Sequence, residues 1–134
     1  MSFRALFQLD GDETDGHEVV YCRYSFNQAV DDKGRPNSEA RHTAMNVNIV
    51  GTSKDKQLLA WMLDPHLQLS GTVTFYRNDV EAVFKKLRFE NAYCTILRDR
   101  FDARGASSNT SLITQLVISY EKLDVHGVRY DAQW

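Results

Sequence analysis

Apolar and polar residues alternate along most of the chain, the two-residue period of strands rather than the 3.6-residue period of helices. Phe3, Ala5, Phe7 and Leu9 share one face of a first strand, with Arg4 and Gln8 opposite, and Asp10-Gly11-Asp12 ends it. Val20, Cys22, Tyr24 and Phe26 predict a long second strand. Met45, Val47 and Ile49 alternate with Asn46 and Asn48 in a third, up to Gly51. Leu69, Gly71, Val73 and Phe75 do so against Ser70, Thr72 and Thr74. Two longer stretches follow, about Val83 to Phe101 and Leu112 to Val125, both rich in the β-branched and aromatic residues that suit a pleated, half-buried surface.

One segment departs from this period. Thr52-Ser53 are helix-capping residue types, Asp55 suits the positive end of a helix, and Leu58, Leu59, Trp61, Met62 and Leu63 form a helical stripe before Pro65. The spacing predicts one helix of about three turns, too short to be stable unless its stripe packs on the sheet or on another chain. The polar run from Asp31 to His42, holding Gly34 and Pro36, predicts a connection longer than hairpins need. Such a loop is either slack or functional. Many antiparallel strands with a single helix predict a mainly β fold, a small β-barrel or closed sandwich.

Composition narrows the class without naming an activity. With 134 residues, the chain is expected to form one unit spanning 1–134, large enough for a core without disulfides or metal. The 43% hydrophobic and 25% charged fractions exclude disordered and collagen-like chains. Sixteen Lys and Arg against eighteen Asp and Glu leave a net charge of −2, which lacks the basic field of a nucleic-acid binder. No run approaches a membrane span, and the acid at Asp10 comes too early for a cleavable leader, so the protein is expected to start in the cytoplasm without membrane insertion. Cys22 and Cys94 lie in apolar alternating runs and read as small core residues in a reduced compartment.

Candidate chemistry is sparse. The acidic stretch from Asp10 to His17 opens like a calcium loop, but Asp15 stands where glycine is needed and Tyr21 where a bidentate Glu is needed, so it reads as a solvated turn. His17, His42, His66 and His126 are scattered singly, without metal-ligand spacing, and read as surface or strand-end residues. No nucleophile elbow, phosphate loop or dinucleotide fingerprint is present. Asp99 and Asp102 interleave with Arg98, Arg100 and Arg104 as a mixed-charge rim, and Lys85, Lys86 and Arg88 are countered by Glu81 and Glu90. Asn109-Thr110-Ser111 matches a glycosylation acceptor by chance in a chain read as having no leader. No catalytic residue, cofactor or metal is therefore expected. A many-stranded chain of this kind is often a self-assembling module.

Four stretches carry a resemblance along nearly the whole chain. They are Tyr24 to Pro36, closing on Asp32-Lys33-Gly34-Arg35-Pro36; Trp61-Met62; Leu69-Ser70-Gly71-Thr72-Val73-Thr74-Phe75-Tyr76-Arg77; and Leu87-Arg88-Phe89-Glu90-Asn91-Ala92-Tyr93-Cys94. In order and spacing they resemble the Bacteroidetes branch of the type VI secretion tube protein family, TssD or Hcp. The run Leu116 to Leu123 fits that family's last long strand.

The resemblance implies a small β-barrel of two antiparallel sheets with one short flanking helix and an extended loop. It implies a structural subunit, not an enzyme, that forms hexameric rings stacking into a tube. A contractile sheath would drive that tube, with spike proteins and effector cargo, into neighbouring cells, and the subunit would leave the cytoplasm through the type VI apparatus without a cleavable signal peptide. Carried over residue by residue, it places Asp32, Gly34, Arg35 and Pro36 at the contact between rings. Gly34 can take positive φ, Pro36 restricts its own φ and the residue before it, and Arg35 offers a planar donor fork. The alternative is a small β-barrel of the same export system that binds a ligand or serves as an effector adaptor; a filled barrel interior would exclude the ligand version.

Overall fold

The structure, a computed structural model, describes residues 3–12, 16–42, 44–78, 82–102 and 112–132. Outside them lie Glu13 to Asp15 of the acidic turn, Glu81, Arg104, the Asn109-Thr110-Ser111 match and the closing Gln133-Trp134. The described residues form ten strands and one helix in the order β1 (Phe3–Leu9), β2 (His17–Arg23), β3 (Phe26–Asn27), β4 (Arg41–His42), β5 (Met45–Val50), α1 (Lys56–Leu63), β6 (Leu69–Arg77), β7 (Val83–Phe101), β8 (Leu112–Ser119), β9 (Lys122–Val125) and β10 (Val128–Asp131). All pairings are antiparallel.

Six strands close on themselves in the cycle β7-β6-β1-β2-β5-β8 because the 19-residue β7 pairs with β6 through its first half and with β8 through its second. Closure removes the open edges that invite misassembly. The predicted alternation supplies the interior: Ala5, Phe7 and Leu9 from β1, Met45, Val47 and Ile49 from β5, Leu116 and Ile118 from β8, all buried. Side chains fill the barrel, which leaves the ligand-carrying version of the alternative without a lumen.

Register shifts rephase the pattern in β2 and at several points along β7. In β7 the inward positions run Leu87, Phe89, then Ala92, Cys94, because Asn91 takes φ 53° and inserts one extra residue opposite β6. In β2 the register shifts between Val19 and Tyr21, so Val19 and Cys22 face inward while Val20 is exposed. The predicted second strand therefore ends at Arg23, and Phe26 belongs to a separate two-stranded sheet, β3-β4. The predicted last stretch likewise splits into β8 and β9. β10 follows through a two-residue turn at His126 (φ 50°) and Gly127 (φ 99°), the left-handed pair that a tight hairpin needs. β9 and β10 lie outside the closed cycle, beside the first half of β7.

The helix is shorter than its stripe predicts, eight residues rather than three turns. Asp55, not Thr52 or Ser53, occupies the N-cap and makes no side-chain cap, while the Thr52 hydroxyl accepts a bond from the Lys54 amide. Leu58 and Trp61 are buried; Leu59 and Leu63 are exposed. The Trp61 Nε1–H donates to the Ala92 carbonyl at 2.9 Å, and its ring lies parallel to Phe89, 6.3 Å between centroids. Phe89 stacks in turn on Phe7 at 5.8 Å. Gly71 leaves room for that ring, since a Cβ there would lie 2.7 Å from Phe89 Cζ. The Ser70 hydroxyl accepts from the Asn91 amide at 3.1 Å, steadying the bulge. Three of the stretches that carry the family resemblance thus meet at one junction of helix and barrel.

Candidate functional site

The segment between β3 and β4 is an ordered arm. Its base is the β3-β4 ladder, Phe26 opposite His42 and Asn27 opposite Arg41. Further out, the Asn37 amide donates to the Ala29 carbonyl at 2.9 Å, the Ala29 amide to the Ser38 hydroxyl at 2.9 Å, and Val30 bridges Pro36. The sequence reading placed Arg41 and His42 in a loop; they are strand.

Asp31 organises the tip. Its Oδ1 accepts from the backbone amides of Lys33 and Arg35, both at 2.9 Å, and its Oδ2 accepts from Arg35 Nε at 2.9 Å. The Gly34 amide donates to the Asp31 carbonyl at 3.0 Å, and the Asp31 amide to the Arg35 carbonyl at 2.8 Å. Gly34 sits at φ 80°, where a side chain would strain the backbone. Asp32, Gly34, Arg35 and Pro36 are thus brought together on one exposed tip. Asp31, absent from the predicted set, holds them there. An Asp followed by Gly three residues on is the signal that could have found it.

These bonds lower the Asp31 pKa, the Arg35 amide contributing most. Because the ordered tip depresses this pKa, its contribution is complete above the usual carboxylate range and is lost as pH falls through the lowered value. The Lys33 and Arg35 amide resonances are expected to titrate together with a midpoint below that range in an NMR pH series. A midpoint at the ordinary value would refute the bonded tip.

An aromatic cluster anchors the arm. Phe26 lies 5.0 Å from Tyr130, and His42 stacks on buried Tyr120 at 4.3 Å and meets Tyr130 edge-on at 5.4 Å. Burial lowers the His42 pKa and pushes the Tyr120 hydroxyl well above its ordinary range. A groove of about 550 Å³ opens beside it, lined by Glu39, Arg41, His42, Tyr130 and Asp131.

The other sequence candidates fall elsewhere. His17 is buried against Phe7 with Nε2 3.6 Å from Asp12, not a surface residue, because β2 starts with an inward position. Cys94 is buried and Cys22 partly so; both are free thiols whose pKa burial pushes up to about 11. Asp99 accepts from the Thr114 hydroxyl at 2.6 Å, Arg98 donates to Gln115, and Arg88 forms a two-pronged pair with Asp10 at 2.7 and 2.8 Å. Lys85 lies over the Tyr24 ring. Among the described residues, no three of His, Cys, Asp and Glu gather to hold a metal ion, and no helix is long and apolar enough to cross a membrane.

The family model for hemolysin coregulated protein Hcp (TssD) matches residues 1–134. The chain belongs to the Hcp family. This is the family of type VI secretion tube proteins, and it is a structural one. No curated protein matches the chain. Among solved structures, it is similar to Hcp1 from Flavobacterium johnsoniae, with 25% identity over 96% of this chain and 99% of that one and a TM-score of 0.83. An Hcp1 variant from the E. coli EAEC 042 pathovar shares the fold at 14% identity, covering 100% of this chain and 99% of that one, TM-score 0.72. Hcp3 from Pseudomonas aeruginosa does so at 14% identity and 99% coverage of each chain, TM-score 0.65. The mainly β fold with one short helix and an extended arm is thus the Hcp fold.

Proposed function

We propose that the chain, acting as one unit over residues 1–134, assembles into hexameric rings that stack into the inner tube of a type VI apparatus. A contractile sheath propels this tube with its spike and effectors, and the subunit leaves the cytoplasm through that apparatus. The observation that carries the proposal is the full-length Hcp family match. The near-balanced charge suits it, since a large same-sign charge would repel at every subunit contact. Ring closure needs two different complementary surfaces on each subunit.

The arm is the inter-ring contact, made by Asp32, Gly34, Arg35 and Pro36. Its ordered tip supports this, because a tip held by its own hydrogen bonds has less conformational entropy to lose on docking. Native mass spectrometry and electron microscopy are expected to find six-membered rings and, at high concentration, stacks. A strict monomer would overturn the assembly. Arg35→Ala, or deletion of Gly34 to Pro36, is expected to leave rings intact while reducing stacking and secretion at least tenfold; unchanged tubes would remove the arm from the contact.

A further inference from the structure

An arm that docks must point in a fixed direction, and among the described residues no strand ladder joins the arm to the barrel. Among the described strands, β3 and β4 pair only with each other. A lone two-stranded hairpin is marginally stable in water, so its order depends on what its base packs against.

That base rests on side chains. The Phe26 ring meets Tyr130 at 5.0 Å, and His42 meets it edge-on at 5.4 Å. The Tyr130 hydroxyl lies 3.3 Å from both the backbone nitrogen and the Nδ1 of His42. One ring thus touches both strands of the arm's base, while Tyr120 stacks under His42 alone. Tyr130 itself stands on β10, in the hairpin that the barrel does not need for closure. That hairpin is joined to the barrel by four registered pairs between β9 and β7, from Leu87 opposite Val125 to Glu90 opposite Lys122. It is further tied to β7 by the Glu121 amide, which donates to the Glu90 carbonyl at 3.2 Å, and by the His126 amide, which donates to the Lys86 carbonyl at 2.9 Å. The tied hairpin and both strands of the arm's base therefore meet at Tyr130, with Tyr120 adding a contact to His42.

We propose that the β9-β10 hairpin is a buttress that sets the direction of the arm, with Tyr130 as its positioning residue. Its consequence for assembly rests on the reading of the arm as the inter-ring contact; the buttress itself does not.

The test is amide hydrogen exchange on Tyr130→Ala and Tyr130→Phe. In Tyr130→Ala the amides of Ala29, Asp31, Gly34 and Asn37 are expected to exchange about tenfold faster or more, the scale set by losing two aromatic contacts. Amides of β1, β5 and β8 are expected to keep their protection. Tyr130→Phe retains the ring and is expected to stay within about threefold of the parent, since the two hydroxyl contacts to His42 are long, at 3.3 Å, and are the smaller contribution. Unchanged arm amides in Tyr130→Ala overturn the buttress, as does a Phe variant that loosens the arm as much as Ala does. If Tyr130→Ala fails to fold, Phe26→Ala removes one of the two contacts from the arm's side, with an expected rise of about threefold or more in the same amides, and unchanged amides again overturn the buttress. Electron microscopy of the variant separates the two proposals. Loosened arms with intact rings and shortened stacks support both. Loosened arms that still stack normally leave the buttress standing and refute the arm as the inter-ring contact.

Discussion

Trp61→Ala is expected to destabilise the fold by about 3–5 kcal/mol, the usual cost of emptying a buried tryptophan site. Total stabilities of single domains are only about 5–15 kcal/mol, so the variant sits near the folding threshold. The magnitude follows from position. Trp61 is fully buried, stacks on Phe89 and is one of only two buried residues on α1. Its loss leaves a cavity, leaves the Ala92 carbonyl without its indole donor, and frees a two-turn helix that has no side-chain N-cap to hold it. Thermal unfolding followed by circular dichroism is expected to show a Tm lower by at least 10 °C, at roughly 4 °C per kcal/mol for a chain of this size. Trp61→Phe, which keeps a ring but not the N–H, is expected to cost less than half as much. A Tm within two or three degrees of the parent for Trp61→Ala would refute the clamp.

Gly71→Ala is expected to cost about 2–3 kcal/mol although it adds a single methyl, at the upper end of overpacking effects. The new Cβ would lie 2.6 Å from the Gln8 carbonyl oxygen and 2.7 Å from Phe89 Cζ. The first is backbone of a paired neighbouring strand, and the second belongs to a ring stacked on both sides. Neither can swing away. Gly51→Ala is the informative contrast, because the three atoms nearest its Cβ all belong to the side chain of Leu112, which is partly exposed and can turn out. Urea unfolding is expected to give a loss below about 1 kcal/mol at Gly51 and at least twice that at Gly71. Equal losses would show that the Phe89 stack is softer than its geometry implies. The double variant Trp61→Ala with Gly71→Ala is expected to cost less than the two singles together, since removing the indole lets Phe89 shift away from the new methyl.

Much of the fold was legible from alternation, and the exceptions have local causes. The period-two pattern located β1, β5, β6 and the long β7 because one face of each is buried and the other is not. It overran β2 and merged β8 with β9 because a bulge or a change of partner leaves the apolar count almost unchanged while altering which face is inward. β10 went unseen: His126-Gly127 is a less familiar hairpin turn than Asn-Gly, although both place two residues at positive φ. His17 stands at a strand end, one of the two places read for it, but its burial comes from Phe7 across the pair and not from neighbours in sequence. At the arm, Gly34 and Pro36 announced a shaped tip, but the carboxylate that holds it, Asp31, was passed over for its neighbour Asp32. Two adjacent aspartates are alike on paper, and only backbone geometry decides which one faces the amides.

The amino-acid sequence by itself determined a mainly β chain with one helix, a polar arm and a near-neutral charge, since these depend on local period, turn chemistry and composition. Its short stretches at Trp61, Ser70-Gly71 and Phe89 to Ala92 were recognisable as a pattern without a reason. Tertiary structure supplied the reason: indole, bulge and glycine interlock at one point, and each residue type is required by the others. It also decided what the arm is. Whether a polar insertion hangs slack or projects stiffly depends on contacts between Phe26, His42, Tyr120 and Tyr130, which are up to about a hundred residues apart in the chain. The contacts of Tyr130 exist only once β10 has folded back on β9, and no local pattern encodes them.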